Sequence, residues 1–392
     1  MARSGNEDSS VERSAESAEQ RTARFVLGET TPPRFHVNDA DGINAQLDVE
    51  GFACVADCLS AEELDHARDL LWNHLEGIEC PQMTQTRPIG WQRDDVTTWV
   101  KGHGDGLMTS TCHCDSMWFA RTRPGVIAGF QAAYQERDLT AAFDRMSINL
   151  PTATGNQGGL QRLAATDHMH GRLNMNELHT HKNSYYDERN GAPFTDFYSI
   201  IPLWDMNQAT GATAVVPRSH KRVPEIQAHR DRNWKFDKTT TPHTKAWWDS
   251  RQWLGKGTPE EDVEQYTSLG LTPRVTNVRA GDMVIFDTAL FHAGCAAADP
   301  SGASGNGTDQ LLRAIYIMGM TPTRLKTPRE LHARRLAYEL DLPWYPDHNH
   351  PQITKKVFMH HTSQGGDVES VRDFSKASPE VKQLIDPTFP VT

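Results

Sequence analysis

Apolar positions divide this chain into a helical first third and a strand-rich middle. After Ser60, the acids Glu62 and Glu63 open a run in which Leu64, Ala67, Leu70, Leu71 and Leu75 recur at helical spacing. A serine N-cap with glutamate three residues on satisfies amides that the first turn leaves bare, so a helix starts here. Just before it, Asp48 to Phe52 leads into a short strand, Ala53-Cys54-Val55-Ala56. A second helical pattern runs from Met117 toward Gln135, with Trp118, Val126, Ile127 and Phe130 on the inner face. Arg123-Pro124-Gly125 is its expected breaking point.

From residue 145 the period shortens to two. Met146-Ser147-Ile148-Asn149-Leu150 alternates, Phe197 to Trp204 is a continuous apolar run, and Gly211 to Pro217 follows. Strand signals resume at Arg274 to Val278, and a turn at Ala280-Gly281-Asp282 feeds an apolar strand from Met283 to Phe291. The last strand is Leu311 to Met318, and a helix lies near Pro328 to Leu340. A helical beginning followed by about eight short strands predicts a mainly β barrel or sandwich with helical support. Residues 1–42 are expected to be mostly disordered, since their early part is poor in large apolar side chains. Residues 43–392 read as a single domain: 43–144 helical, 145–320 the strand core, 321–392 a C-terminal extension. Residues 221–270 are a polar insertion bearing Trp234, Trp247, Trp248 and Trp253, long enough to cover a site.

Composition narrows the class of partner. The net charge is −11 and no basic stripe stands out, which argues against nucleic acid. No apolar run reaches membrane-spanning length, and the N-terminus lacks a secretory pattern, so a cytoplasmic protein is the default. The 6 cysteines suggest no disulfide framework. Cys112-His113-Cys114 has no second Cys or His pair at zinc-finger spacing.

The chemistry concentrates in histidines. His179 and His181 are two apart, so an extended strand presents both on one face, and Glu177 shares that face. His292 ends an apolar run. Three imidazoles meeting from two strands would make a metal site. His168 and His170 form a rival pair, and His113-Cys114-Asp115 fits the letters His-x-Asp but precedes the strands.

Several motifs in order resemble the phytanoyl-CoA dioxygenase family of iron(II)/2-oxoglutarate oxygenases. Gly51-Phe52 to Leu64 is similar to its opening strand and helix. Asn207 to Ala212 and Val216-Pro217-Arg218-Ser219-His220-Lys221 resemble its "enough Gly … viPGSHk" signature. Ala280-Gly281-Asp282-Met283-Val284-Ile285-Phe286 to His292 resembles its "aGDvvlf…H" signature. The resemblance implies a double-stranded β-helix, a cupin-like jelly roll of two sheets. It implies Fe(II) and 2-oxoglutarate as cofactors, O2 and a small organic molecule as partners, and oxidation of a C–H bond. The family holds iron with a 2-His-1-carboxylate triad. Carried onto this chain, the histidines are His179 and His292, and the carboxylate position is His181. Arg313 stands where the family's arginine grips the cosubstrate, and Asn183 is a weaker candidate for lining the pocket. Three readings of the metal remain open. His179, His181 and His292 form a three-histidine centre, or Glu177 supplies a carboxylate directly or orients an imidazole, or the roll is a catalytically silent binding module. A three-histidine oxygenase that dispenses with 2-oxoglutarate is a further variant.

Overall fold

The computed structural model describes residues 28–75, 107–149, 186–187, 192–193, 195–222, 225, 266–295, 313–344 and 372–389. The elements are β1 (Gly28–Thr30), β2 (Arg34–Phe35), α1 (Ala40–Glu50), β3 (Phe52–Val55), α2 (Ala61–His74), β4 (Leu107–Met108), α3 (Asp115–Arg121), α4 (Pro124–Tyr134), β5 (Leu139–Ala141) and β6 (Met146–Asn149). They continue with β7 (Tyr186–Asp187), β8 (Ala192–Pro193), β9 (Phe197–Pro202), β10 (Ala212–Val215), β11 (Arg274–Thr276), β12 (Met283–Asp287), β13 (His292–Cys295), β14 (Arg313–Pro322), α5 (Pro328–Glu339) and α6 (Pro379–Ile385).

Two sheets carry the fold. The smaller has the order β1-β11-β10-β13, and the larger has β2-β3-β12-β9-β14-β6-β4 with β5 added against β14. Both mix parallel and antiparallel pairs: β1 with β11 and β2 with β3 are parallel, and the other pairs are antiparallel. The fold is thus sheet-rich with helical support, two sheets facing each other as the jelly-roll expectation requires.

Strand alternation sorts the larger sheet into two cores. Phe52, Cys54, Tyr198, Ile200, Val284, Phe286 and Ile315 belong to one cluster with Val215 of the smaller sheet. Their sequence neighbours Ala53, Val55, Ile201, Met283, Ile285, Ala314 and Tyr316 pack with α2 to α4, through Leu64, Leu71, Met117 and Phe130. Each fully buried aliphatic or phenyl side chain contributes about 1.5–3 kcal/mol, against about 1 kcal/mol net for a ladder hydrogen bond. Side-chain burial therefore fixes which face of each strand looks inward. A third cluster docks the C-terminal extension: Trp118 and Phe143 pack with Tyr338, Trp344, Phe374 and Ile385. Buried Arg334 fastens it, donating to the carbonyls of Ile385, Ala141 and Leu384.

Local chemistry explains the element ends. Ser60 and Glu63 cap α2 reciprocally, as their spacing predicts. The second helical pattern divides into α3 and α4, with Pro124 opening α4. The Ala280-Gly281-Asp282 corner is structural. Gly281 has φ 82, and a Cβ there would lie 2.8 Å from the Leu59 carbonyl oxygen. Asp282, 1% exposed, receives Arg34 Nε at 2.8 Å and Nη2 at 2.9 Å, and its Oδ1 also accepts from the Asp57 amide.

Two expectations need correction. The apolar run from Met283 to Phe291 is not one strand: β12 ends at Asp287, and His292 opens β13 in the opposite sheet. The Phe197 to Trp204 strand stops at Pro202. Of the 1–42 segment, residues 1–27 lie outside the described residues, and β1, β2 and the first residues of α1 lie in the remainder, the two strands joining one sheet each. Of the 221–270 insertion, only 221–222, 225 and 266–270 lie within the described residues. No described helix is long and apolar enough to cross a membrane.

Candidate metal and cosubstrate site

His292 opens β13 and its side chain is buried at 7% exposure. Its Nδ1 stands 2.9 Å from the carbonyl oxygen of Leu290. A carbonyl only accepts, so Nδ1 carries a proton, and in the neutral ring the lone pair then sits on Nε2. That tautomer is the one in which imidazole binds a metal ion.

The corner before His292 is fixed by the residues of the two signatures. The Phe291 amide donates to Ser219 Oγ at 2.9 Å, and the Val216 amide donates to the Phe291 carbonyl at 2.8 Å. Asp287 closes the turn: its side chain accepts from the Ala289 amide at 2.7 Å, and its carbonyl accepts from the Leu290 amide at 2.8 Å. Burial pushes the Asp287 carboxyl above its ordinary pKa. Gly51 packs against this corner with φ 84, and a Cβ there would stand 2.5 Å from His220 Nδ1 and 2.8 Å from Leu290 Cδ1. The signature's glycine is replaced here by Arg218, which keeps the left-handed backbone with φ 69.

Register brings Arg313 into the same interior. On β10, Val215 pairs with His292 and Thr213 pairs with Gly294. Directly paired residues share a face, so Thr213, Val215 and His292 point the same way. Arg313 is 8% exposed and shares the inward face of Ile315 on β14. Its Nη2 donates to Thr213 Oγ1 at 3.3 Å. The Phe286 ring of the larger sheet lies 4.7 Å from the His292 ring, centroid to centroid. His292 and Arg313 thus come from different sheets and both face the space between them, with Thr213 bridging. Sequence reasoning missed Thr213, a polar residue between two alanines on a buried strand.

The remaining candidates divide clearly. His179, His181, Glu177 and Asn183 lie outside the described residues, as do His168 and His170. Among the described residues no group of three His, Cys, Asp or Glu side chains could hold a metal ion. His113, Cys112 and Cys114 are buried, but not between the sheets. His113 Nε2 donates to the Leu342 carbonyl at 2.9 Å, and its ring sits among Trp118, Phe143 and Tyr338. Burial pushes Cys112 up to about 12 and Cys114 up to about 11, which keeps both thiols protonated and poor ligands. The donor chemistry at the His292 end fits iron and a dicarboxylate: an imidazole whose Nδ1 is engaged by a carbonyl, which makes Nε2 the nitrogen suited to a metal, and a guanidinium paired with a hydroxyl.

Comparison with known proteins gives this geometry a context. A model of the phytanoyl-CoA dioxygenase (PhyH) family matches residues 47–298, more than half of the 392-residue chain. The Ava biosynthesis cluster protein O of Aspergillus versicolor is 22% identical over 300 residues, covering 75% of this chain and 82% of that protein. Among solved structures, the epimerase SnoN in complex with Fe3+, alpha ketoglutarate and nogalamycin RO is 17% identical, covering 73% of this chain and 84% of its own, with a TM-score of 0.37. HygX from Streptomyces hygroscopicus, with nickel and 2-oxoglutarate bound, is 13% identical over 72% of this chain and 87% of its own, with a TM-score of 0.35. At these scores the superpositions add nothing to the assignment, which rests on the sequence match. The chain belongs to the phytanoyl-CoA dioxygenase family and is an enzyme of the iron(II)/2-oxoglutarate oxygenase class.

Proposed function

We propose that the protein oxidises a C–H bond of a small organic molecule, at an iron held by His179, His181 and His292. The observation that carries this reading is the convergence of His292 and Arg313 on one interior, with Thr213 beside the guanidinium. His179 and His181 are spaced to present two imidazoles from a strand. Glu177, on the same face if that strand is extended, orients one of them through its free ring nitrogen. Three neutral ligands leave the ion its full charge, which a 2-oxoglutarate dianion offsets.

When bound, iron and 2-oxoglutarate together supply the oxidising chemistry, consuming O2 and releasing succinate and carbon dioxide. The protein's own residues do the rest. Arg313 offers a planar fork that matches the distal carboxylate of 2-oxoglutarate, and Thr213 Oγ1 adds a third polar atom beside it. Asn183 is a weaker candidate for lining the pocket. Ser219 and the Asp287 turn hold the His292 corner, so the ligand is oriented before the metal arrives. The apolar interior around Phe286 and Tyr198 excludes water from the reacting atoms. A relative named for a biosynthetic cluster favours a small metabolite as the substrate.

The test is anaerobic Fe(II) titration followed by succinate release under O2. The expected outcome is one iron site lost in His292→Ala, retained in Arg313→Ala, and retained in His181→Asp. In Arg313→Ala the 2-oxoglutarate requirement should rise by about a hundredfold or more, the loss of a charge-assisted bidentate contact. Unchanged iron affinity in His292→Ala would remove the proposed centre.

A further inference from the structure

The smaller sheet carries a guanidinium that has no part in holding metal or cosubstrate. Arg274 opens β11 and pairs with Val215, the last residue of β10, which pairs in turn with His292. Directly paired residues share a face, so Arg274 stands on the inward face, in the row of the histidine. Neighbouring strands lie about 4.8 Å apart, which puts the Cα atoms of Arg274 and His292 about 10 Å from each other. Arg313 and Thr213 belong to a deeper row, that of Gly294.

Exposure marks this row as the rim of the interior. Two residues along the same face, Thr276 is fully buried and donates to the Thr213 carbonyl at 2.8 Å, whereas Arg274 is exposed. The chain between β10 and β11, residues 216–273, leaves and returns at this same end. The guanidinium extends across Gly28 of β1, the residue paired with Arg274, where a Cβ would collide with Nη1. The glycine thus leaves the fork its room on the inward face. Charge sharpens the contrast. The cations directly after β10 are each neutralised, Arg218 by Glu50, Lys221 by Asp48 and Arg222 by Glu225. Among the described residues no carboxylate or carbonyl pairs with Arg274, in a chain with 51 acidic side chains against 40 basic ones.

We propose that Arg274 is a specificity-determining residue, which takes an oxyanion carried by the organic substrate, a carboxylate or a phosphate, at the rim of the site. The proposal rests on the reading of His292 as an iron ligand and narrows the small organic molecule of that reading to an acid. A planar fork of N–H donors matches either oxyanion with two parallel bonds, where a lysine would offer a point charge. At an exposed rim water and salt screen the contact, so it selects and orients the substrate more than it holds it. The interior around Phe286 and Tyr198 is apolar and suits the uncharged end of such a molecule. With its charge on Arg274 and its apolar part turned inward, the substrate presents a carbon toward His292 and leaves Arg313 to the cosubstrate.

The test loads the full-length protein with Fe(II) and 2-oxoglutarate under O2 and adds, one at a time, aliphatic and aromatic carboxylic acids and alkyl and aryl phosphates, each beside its neutral methyl ester. Succinate release is read against the concentration of each compound. The expected result is that anions stimulate release at concentrations at least tenfold below those of their esters. The advantage disappears in Arg274→Gln and is reduced several-fold in Arg274→Lys, which keeps the charge without the fork, and in Gly28→Ala, which displaces the guanidinium. The esters act alike on all four proteins. Whether carboxylates or phosphates lead identifies the oxyanion. Peptide mapping after phenylglyoxal treatment gives a second measurement that needs no turnover: Arg274 is modified in the free protein and protected by the leading anion. Succinate release with no preference for anions over esters overturns the assignment and leaves the oxygenase reading standing. A preference that survives intact in Arg274→Gln overturns it equally. An absence of succinate with every compound removes the iron reading and this assignment together.

Discussion

Acid should unfold this chain through His113, a residue with no part in the proposed chemistry. The ring is fully buried, and burial pushes its pKa from 6.5 down to about 3. The hydrogen bond to the Leu342 carbonyl opposes that shift, and the nearby guanidinium groups of Arg121, Arg372 and Arg334 add to it. The unfolded chain accepts a proton at 6.5, whereas the folded chain declines it until about 3. The contribution of neutral His113 is therefore fully present above pH 6.5 and is lost as pH falls toward 3. At pH 4.5, two units below the unfolded value, the loss is about 3 kcal/mol at ~1.4 kcal/mol per unit. That is a large share of the roughly 5–15 kcal/mol that holds a typical domain folded. The assay is urea unfolding at pH 7.5 and pH 4.5, for the wild type and for His113→Gln, whose amide can still donate to Leu342. Both proteins share every carboxylate, so the difference between the two pH effects isolates the ring. The wild type should lose about 3 kcal/mol more than the variant. Parallel losses would refute the assignment of a buried neutral imidazole.

Three further outcomes follow from the site. Thr213→Val, which keeps the strand and removes the hydroxyl, should raise the KM for 2-oxoglutarate about tenfold with iron affinity unchanged, as measured by initial rates and metal titration. Ser219→Ala strips the buried Phe291 amide of its acceptor, and should cost about 1–3 kcal/mol in urea unfolding and weaken iron binding along with it. Gly51→Ala forces a Cβ into the His220 and Leu290 contacts at a left-handed φ, and should lower stability by at least 1–2 kcal/mol, roughly, in the same assay. An unchanged midpoint there would mean that the corner relaxes without strain.

Periodicity made the central strands and the α2 cap readable, because burial on one or both faces leaves a repeating trace. It failed where two signals overlapped. Asp287-Thr288-Ala289-Leu290 carries an aspartate suited to closing a turn on the Ala289 amide, yet it sits within an apolar run and reads as more strand. α1 buries only Ile43 and Leu47, one helical repeat, so its face left little pattern. Its boundaries were nonetheless written in Asp39, which caps the first turn, and Gly51, which ends it. For the site, motif spacing identified His292 and Arg313. It could not identify Thr213 or Arg274. Their roles depend on which residues pair with Gly294 and with Val215, and such long-range register leaves no mark in local composition.

β1 and β2 deserve a last consequence. One joins the outer edge of the smaller sheet and the other the outer edge of the larger, with residues 31–33 between them. Four extended residue steps reach about 14 Å at full stretch, only slightly more than the ~10 Å at which facing sheets pack. This short tether acts as a clasp along one side of the sandwich. The layers cannot gape there, and any small molecule must pass by another side. A single proteolytic cut within residues 31–33 would undo the clasp and leave the two edge strands free to peel away separately, turning a closed flank into a surface that invites self-association.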